Sequence, residues 1–232
     1  MAADEWYQTT VHSIEEVGKD YFYIQLKAPK EFQHQAGQYT IFELEDSDGS
    51  FPCYYSIASS PKSNGIIDFC IMNKDGSRST AIYRNMKAGD EVKVASPKGK
   101  FGLSGAKGPK VFVAGGSGIS PIRAMIQSLI EAGNSDDPVH LIYGCRSSDS
   151  VPFSQEFQGL SESQAHFNQW ICVESGENNG YKSGRVTEFL DEAYVQGSEF
   201  YLCGPPPMVK AVQNHLEQVQ KLGPESVHVE SY

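Results

Sequence analysis

Apolar and polar positions change rhythm midway along the chain. In the first half the apolar residues come in short runs separated by turn formers. Val17 to Ala28 is rich in aromatic and β-branched residues and stops at Pro29. Gly37 to Leu44 alternates in the same way, Ile66 to Met72 is a compact apolar run, and Val92 to Ala95 follows the turn Ala88-Gly89-Asp90. Such runs predict strands. A further strand ends in Pro52-Cys53-Tyr54-Tyr55-Ser56, ahead of Pro61. Only Ser79 to Met86 predicts a helix. Several short strands at this spacing predict a small antiparallel barrel or sandwich.

After Ser104-Gly105-Ala106-Lys107-Gly108-Pro109, a stretch of linker composition, the period changes. Strand-like runs (Lys110–Ala114, Val139–Tyr143, Asn168–Val173, Glu199–Cys203) alternate with helix-like segments (Pro121–Ala132, Phe153–Leu160, Val186–Tyr194, Pro207–Leu222). That alternation predicts a doubly wound parallel α/β sheet, closed by a last strand from Ser226 to Tyr232. The chain therefore divides into 1–106, an antiparallel β-barrel, and 107–232, an α/β domain.

Charge narrows the partners. The 232 residues carry a formal charge of −10, which argues against nucleic acid and anionic membrane surfaces. Residues 1–108 hold 12 Lys+Arg against 14 Asp+Glu and residues 109–232 hold 7 against 15, so the second half is the acidic one. An anion bound there must rely on backbone donors. No apolar stretch is long enough to span a membrane, and the acidic N-terminus does not read as a secretory signal. The five cysteines (Cys53, Cys70, Cys145, Cys172, Cys203) have no iron–sulfur spacing and read as reduced thiols of a cytoplasmic protein.

Four segments carry candidate chemistry. Val111-Phe-Val-Ala-Gly-Gly-Ser-Gly-Ile-Ser-Pro121 runs from a strand into a helix through Gly115, Gly116, Ser117 and Gly118, where backbone can approach a phosphate at a helix N-terminus. A tight structural turn would look the same. Cys203-Gly204-Pro205-Pro206-Pro207-Met208 lies at the carboxyl end of another strand, where ligands of doubly wound sheets bind. A tyrosine in Tyr54-Tyr55-Ser56 can stack on a planar heterocycle while the serine hydroxyl meets a ring nitrogen, or can simply fill a core. Gly76-Ser77-Arg78-Ser79-Thr80 has the makings of an anion site, with Ser79 or Thr80 as a plain N-cap the simpler alternative.

In this order the segments resemble the ferredoxin–NADP reductase superfamily. An R-x-Y-S-type segment (53–56), a G-x-x-S segment (76–79), a G-G-T-G-I-A-P-like turn (115–121), a C-G-P-P-x-M element (203–208) and a C-terminal aromatic span nearly the whole chain. Val229-Glu230-Ser231-Tyr232 is similar to the V-E-x-Y ending of the plant-type members. The resemblance implies a flavin-binding barrel followed by a nicotinamide-binding domain. It places Tyr55 on the isoalloxazine, Ser56 near flavin N5, and Gly76, Ser79 and Thr80 at the flavin phosphate. Gly115, Gly116, Ser117 and Gly118 then face the dinucleotide pyrophosphate. Cys203, with Gly204, Pro205 and Met208 after it, and Glu230 border the nicotinamide; Tyr232 covers the other flavin face. One position departs: Cys53 stands where the family has arginine, which implies weaker flavin binding or a substitute cation, with Arg78 the candidate.

The expectation is a flavoenzyme moving hydride between NADH or NADPH and FAD, with FMN second to FAD. Ser56, Cys203, Glu230 and Tyr232 are the residues expected to tune the transfer. Arg146 can meet a 2′-phosphate, whereas Asp149 favours a free 2′-hydroxyl and hence NADH. Electrons then pass to a separate carrier, an iron–sulfur protein or free flavin. The alternative from another class is a non-catalytic regulatory or electron-transfer subunit of a larger enzyme.

Overall fold

A computed structural model describes residues 5–133 and 136–231 of the protein. Its first half is a six-stranded antiparallel sheet built from β1 (Trp6–Val17), β2 (Tyr21–Lys27), β3 (Tyr39–Asp46), β4 (Gly49–Ser56), β5 (Ile66–Met72) and β6 (Glu91–Ala95), with helix α1 (Arg78–Tyr83) between the last two. The order is β4-β3-β6-β1-β2-β5. The sheet curls until its edges meet: Ala58 N–H donates to the Asp68 carbonyl at 2.7 Å, and Asp68 N–H to Ser59 Oγ at 3.0 Å. This is the expected barrel. Phe22, Ile24, Leu26, Phe42, Phe69 and Val94 fill it, and Tyr83 packs into the same core from α1.

Two strand expectations change. The run Val17–Ala28 is not one strand, because Gly18 (φ +57°) turns the chain before β2 opens at Tyr21. The twelve residues of β1 had no counterpart in the hydrophobic pattern. They pair with β6 over Trp6–Thr10 and with β2 from Val11 onward, with a bulge between Val11 and Ser13. A bulge slips the period-2 alternation by one residue and hides the strand from pattern reading.

The second half is a parallel sheet of β7 (Lys110–Gly115), β8 (Val139–Cys145), β9 (Phe167–Val173), the two-residue β10 (Lys182–Ser183), β11 (Glu199–Gly204) and β12 (Val227–Ser231). Its order is β10-β9-β8-β7-β11-β12. All six residues of β7 are buried, as a central strand covered on both faces requires. Helices α2 (Ile119–Ala132), α3 (Ser154–Ser163), α4 (Leu190–Ala193) and α5 (Pro206–Gln218) connect the strands. The segment expected to be helical from Val186 begins as a 3₁₀ turn, Val186–Phe189. α5 stops four residues short of Leu222, and Lys221 (φ +57°) redirects the chain toward β12.

The connection between the halves is not loose. Ser104 Oγ donates to Glu199 at 2.9 Å, Ser104 N–H donates to the Tyr201 hydroxyl at 3.1 Å, and Lys110 Nζ donates to the Ala106 and Gly108 carbonyls. The half-chains also share a core, since Tyr21 and Cys70 of the barrel pack in one cluster with Ile119, Tyr143 and Val173.

Candidate active site

Strand order reverses between β7 and β11, so their carboxyl ends lie side by side at a topological switch point, the usual ligand crevice of such sheets. Both glycine elements are there. Gly116 turns the chain at φ +56°, and the 3₁₀ turn Gly116–Gly118 leads into α2, whose start no side chain caps. Pro121 lies within the first turn of α2, where a missing N–H costs nothing. Gly115 and Gly118, expected to make room for a phosphate, first make room for protein. A Cβ on Gly118 would stand 2.3 Å from the Cys203 carbonyl oxygen, and one on Gly115 would stand 2.5 Å from Met208 Sδ. The two turns are locked to one another.

In the barrel, β4 alternates. Tyr55 points inward and packs edge-on against Phe42 (5.1 Å between centroids), whereas Tyr54 is 61% exposed and sits 6.1 Å from Tyr39. The Tyr55 hydroxyl faces Tyr83, Cys53 and Ser79, and burial pushes its pKa well up. Cys53 is half-buried and burial also raises its thiol, against the lowering effect of neighbouring Tyr55 and Arg78.

The N-cap of α1 is Ser77, not Ser79 or Thr80: its hydroxyl accepts from Thr80 N–H at 3.2 Å. The buried Thr80 hydroxyl accepts from Lys74 N–H at 3.0 Å and so fixes the loop. Gly76 (φ +78°) has no neighbour within 4 Å of where a Cβ would stand, leaving an open cradle. Arg78 forks onto Asp46 (Nε at 2.6 Å, Nη2 at 2.5 Å) and lies 3.9 Å from the Phe51 ring centroid. The guanidinium reaches the groove with its charge already shared, and it holds the Asp46 carboxyl below the usual carboxylate range. Asp46 and Tyr83, thirty or so residues from the motifs they touch, had no local signal in the sequence.

Three of the four residues expected to tune the transfer come together. β11 and β12 pair Cys203 with Glu230 in register. Burial raises the Glu230 pKa, and the Ser56 hydroxyl of the barrel, close by, offsets part of that rise. Glu230 Oε2 is buried with no hydrogen-bond partner. Cys203 is fully buried, and burial with the nearby Glu230 charge pushes its thiol far up, so it stays neutral. Tyr232, the fourth, lies outside the described residues. Arg146 and Asp149 are both exposed in the loop after β8. Ser175 hydrogen-bonds the Arg146 carbonyl through N–H (3.1 Å) and hydroxyl (3.0 Å). The Asp149-Ser150 turn presses on the barrel at Gly18, where a Cβ would meet the Asp149 carbonyl at 2.3 Å, and Ser150 Oγ accepts from Lys19 N–H at 3.2 Å.

These features fit a flavin dinucleotide and a nicotinamide dinucleotide. A groove of about 1030 Å³ runs along α1, lined by Gly76, Ser77, Arg78 and Thr80 and also by the carboxylates of Asp46, Asp90 and Glu91, while Tyr55, Ser56 and Ser79 lie outside its walls. The unpartnered Glu230 oxygen is an acceptor suited to a carboxamide N–H.

Residues 8–102 match the family described as oxidoreductase FAD-binding domain, and residues 112–214 the oxidoreductase NAD-binding domain. The chain is 28% identical over 231 residues to the toluate 1,2-dioxygenase electron transfer component of Pseudomonas putida, covering 97% of this chain and 67% of that protein. It is 30% identical over 193 residues to the anthranilate 1,2-dioxygenase electron transfer component of Acinetobacter baylyi, covering 82% and 55%. The chain thus spans about two thirds or less of the length of such relatives. In fold it is similar to a ferredoxin NADP+ reductase from Neisseria gonorrhoeae with bound FAD and NADP (TM-score 0.85, 17% identity, 97% of this chain and 98% of that one). It is likewise similar to an Amycolatopsis cytochrome P450 reductase (TM-score 0.87, 22% identity, 100% and 71%).

Proposed function

The chain belongs to the ferredoxin–NADP reductase superfamily, and from that premise we propose that it is an FAD-dependent reductase taking electrons from NADH and delivering them to a separate carrier. The observation that supports this most is the in-register pairing of Cys203 with Glu230 at the switch point, with Glu230 Oε2 buried and unpartnered and the Ser56 hydroxyl of the other half close by. In this reading residues 1–106 hold the flavin and residues 107–232 the nicotinamide dinucleotide.

FAD, when bound, would supply the redox chemistry by taking up a hydride and returning single electrons. The chain supplies position. Gly76, Ser79 and Thr80 would hold the phosphate end, and Tyr55 would stack on the isoalloxazine. Ser56 would sit at the reacting ring edge, where its single hydroxyl proton serves either the ring nitrogen or the Glu230 carboxylate. Glu230 Oε2 accepts from the nicotinamide carboxamide, and the neutral Cys203 thiol fills the space beside the ring and keeps water from it. Gly116 and Ser117 meet the pyrophosphate, Gly204, Pro205 and Met208 border the same crevice, and Tyr232 closes the flavin face. Asp149 selects NADH by repelling a 2′-phosphate, with Arg146 as the opposing influence.

The electron carrier is proposed to be of the iron–sulfur class, free flavin being the alternative acceptor, since relatives are named as electron transfer components of dioxygenases. Among the described residues no helix is long and apolar enough to cross a membrane, and the five free cysteines suit the cytoplasm. The purified protein, reconstituted with FAD, should be yellow, and its absorbance at about 450 nm should bleach faster with NADH than with NADPH. A protein that takes up no FAD would support the subunit reading instead, and a preference for NADPH would overturn the role given to Asp149.

A further inference from the structure

Helix α2 packs on the barrel through a polar face. Residues 120, 123, 127 and 131 lie on one side at helical spacing, where a helix against a sheet ordinarily presents apolar groups. Ser120 Oγ donates to the Cys70 carbonyl at 3.2 Å. Gln127 Oε1 accepts from Ser60 N–H at 3.0 Å, and the Ser60 hydroxyl donates to Glu131. Between them Arg123, only 7% exposed, sends Nη1 to the Ala58 carbonyl (2.9 Å) and to Asp68 Oδ2 (2.8 Å) and Nε to Glu156 Oε2 (2.8 Å). Its guanidinium lies 4.4 Å from the Phe153 ring centroid. Four of these hydrogen bonds end on Ala58, on Ser60, or on Asp68, which holds the same stretch through its hydrogen bonds to Ala58 and Ser59. That stretch continues β4 beyond Ser56.

The other end of α2 is the glycine turn, which bears on the Cys203 carbonyl through Gly118. One rigid helix therefore touches both sides of the site, the Ser56 side through Arg123 and the Cys203–Glu230 side through its first turn. We infer that Arg123 is a positioning residue, setting the separation between the flavin-binding Ser56 segment and the nicotinamide-binding edge of β11 and β12. The inference rests on the reading given under Proposed function. Arginine suits the task because a planar fork can hold Ala58, Asp68 and Glu156 at fixed angles, whereas lysine offers one mobile point charge. Misplacement of reacting atoms by about 1 Å is enough to cost on the order of a hundredfold in rate.

The test uses the full chain reconstituted with FAD. Arg123→Lys keeps the charge and should bind FAD and NADH with unchanged dissociation constants. Flavin reduction in a single turnover should slow by about tenfold to a hundredfold, with weaker long-wavelength charge-transfer absorbance. Without FAD, amide exchange at Ser60 should be faster in the variant. Glu156→Gln, which removes one of the guanidinium's charged partners without changing its shape, should slow reduction by a smaller factor. Wild type that neither dinucleotide reduces would overturn the functional reading. Active wild type with an equally fast Arg123→Lys would overturn the positioning role alone. If Arg123→Lys does not fold, a wild-type rate in Glu156→Gln overturns it as well.

Discussion

At the scale of single residues, the site is a hydroxyl, a thiol and a carboxyl, two of them with shifted protonation. Burial raises the Glu230 pKa and the nearby Ser56 hydroxyl offsets part of the rise. Ser56→Ala should retain FAD yet slow hydride transfer by about tenfold, the equivalent of one lost hydrogen bond of about 1–3 kcal/mol at the reacting edge. It should also raise the Glu230 pKa further. If the carboxylate receives the carboxamide, NADH affinity falls as pH drops through that pKa, and the fall should come at higher pH in Ser56→Ala than in wild type. Stopped-flow reduction and NADH titration across pH check both; unchanged curves remove Ser56 from the site. These residues were legible because each lies in a short motif at a strand end. The Arg78–Asp46 pair was not, since it joins residues 32 apart across a hairpin tip and leaves no local pattern. The N-cap at Ser77 was missed for a smaller reason: three neighbouring hydroxyls qualify equally by composition, and only the backbone path decides among them.

At the scale of elements, the central parallel strands β7, β8 and β11 read well because both their faces are buried and their apolar runs are continuous. β1 did not, because its bulge breaks the alternation that identifies a half-buried strand. The glycine turn belongs to both kinds. Its existence and location were plain from the sequence, but the division of labour among its glycines depends on a neighbour 85 residues away. Gly118 has φ −60°, which any residue adopts, so Gly118→Ala isolates the steric effect. Its Cβ would meet a backbone carbonyl, which cannot rotate aside, so the turns at Gly118 and Cys203 must separate. The variant should lose about 1–3 kcal/mol in urea unfolding, and NADH affinity should fall while FAD affinity holds. Full stability in Gly118→Ala would mean that the two turns are not locked together.

At the scale of the whole molecule, the halves join through a shared core, the polar face of α2 and the anchored connection at Ser104. They should therefore unfold together. Each half carries one of the two tryptophans, Trp6 in β1 and Trp170 in β9, so Trp6→Phe and Trp170→Phe make each half its own reporter. Their urea midpoints should coincide; a barrel transition separated from that of the sheet would contradict a unified core. The junction was the least legible part of the sequence. Its composition, rich in glycine and small residues, reads as a flexible tether, but Glu199 and Lys110 tie it down from strand ends. That anchoring bears on traffic. Glu199 begins β11 and Cys203 nearly ends it, so the halves are fastened at the foot of the strand as well as beside its top. A pair of plates fastened at two levels does not swing open like a clam. Under the proposed function, a dinucleotide would reach the crevice along a fixed seam rather than through an opening of the two halves.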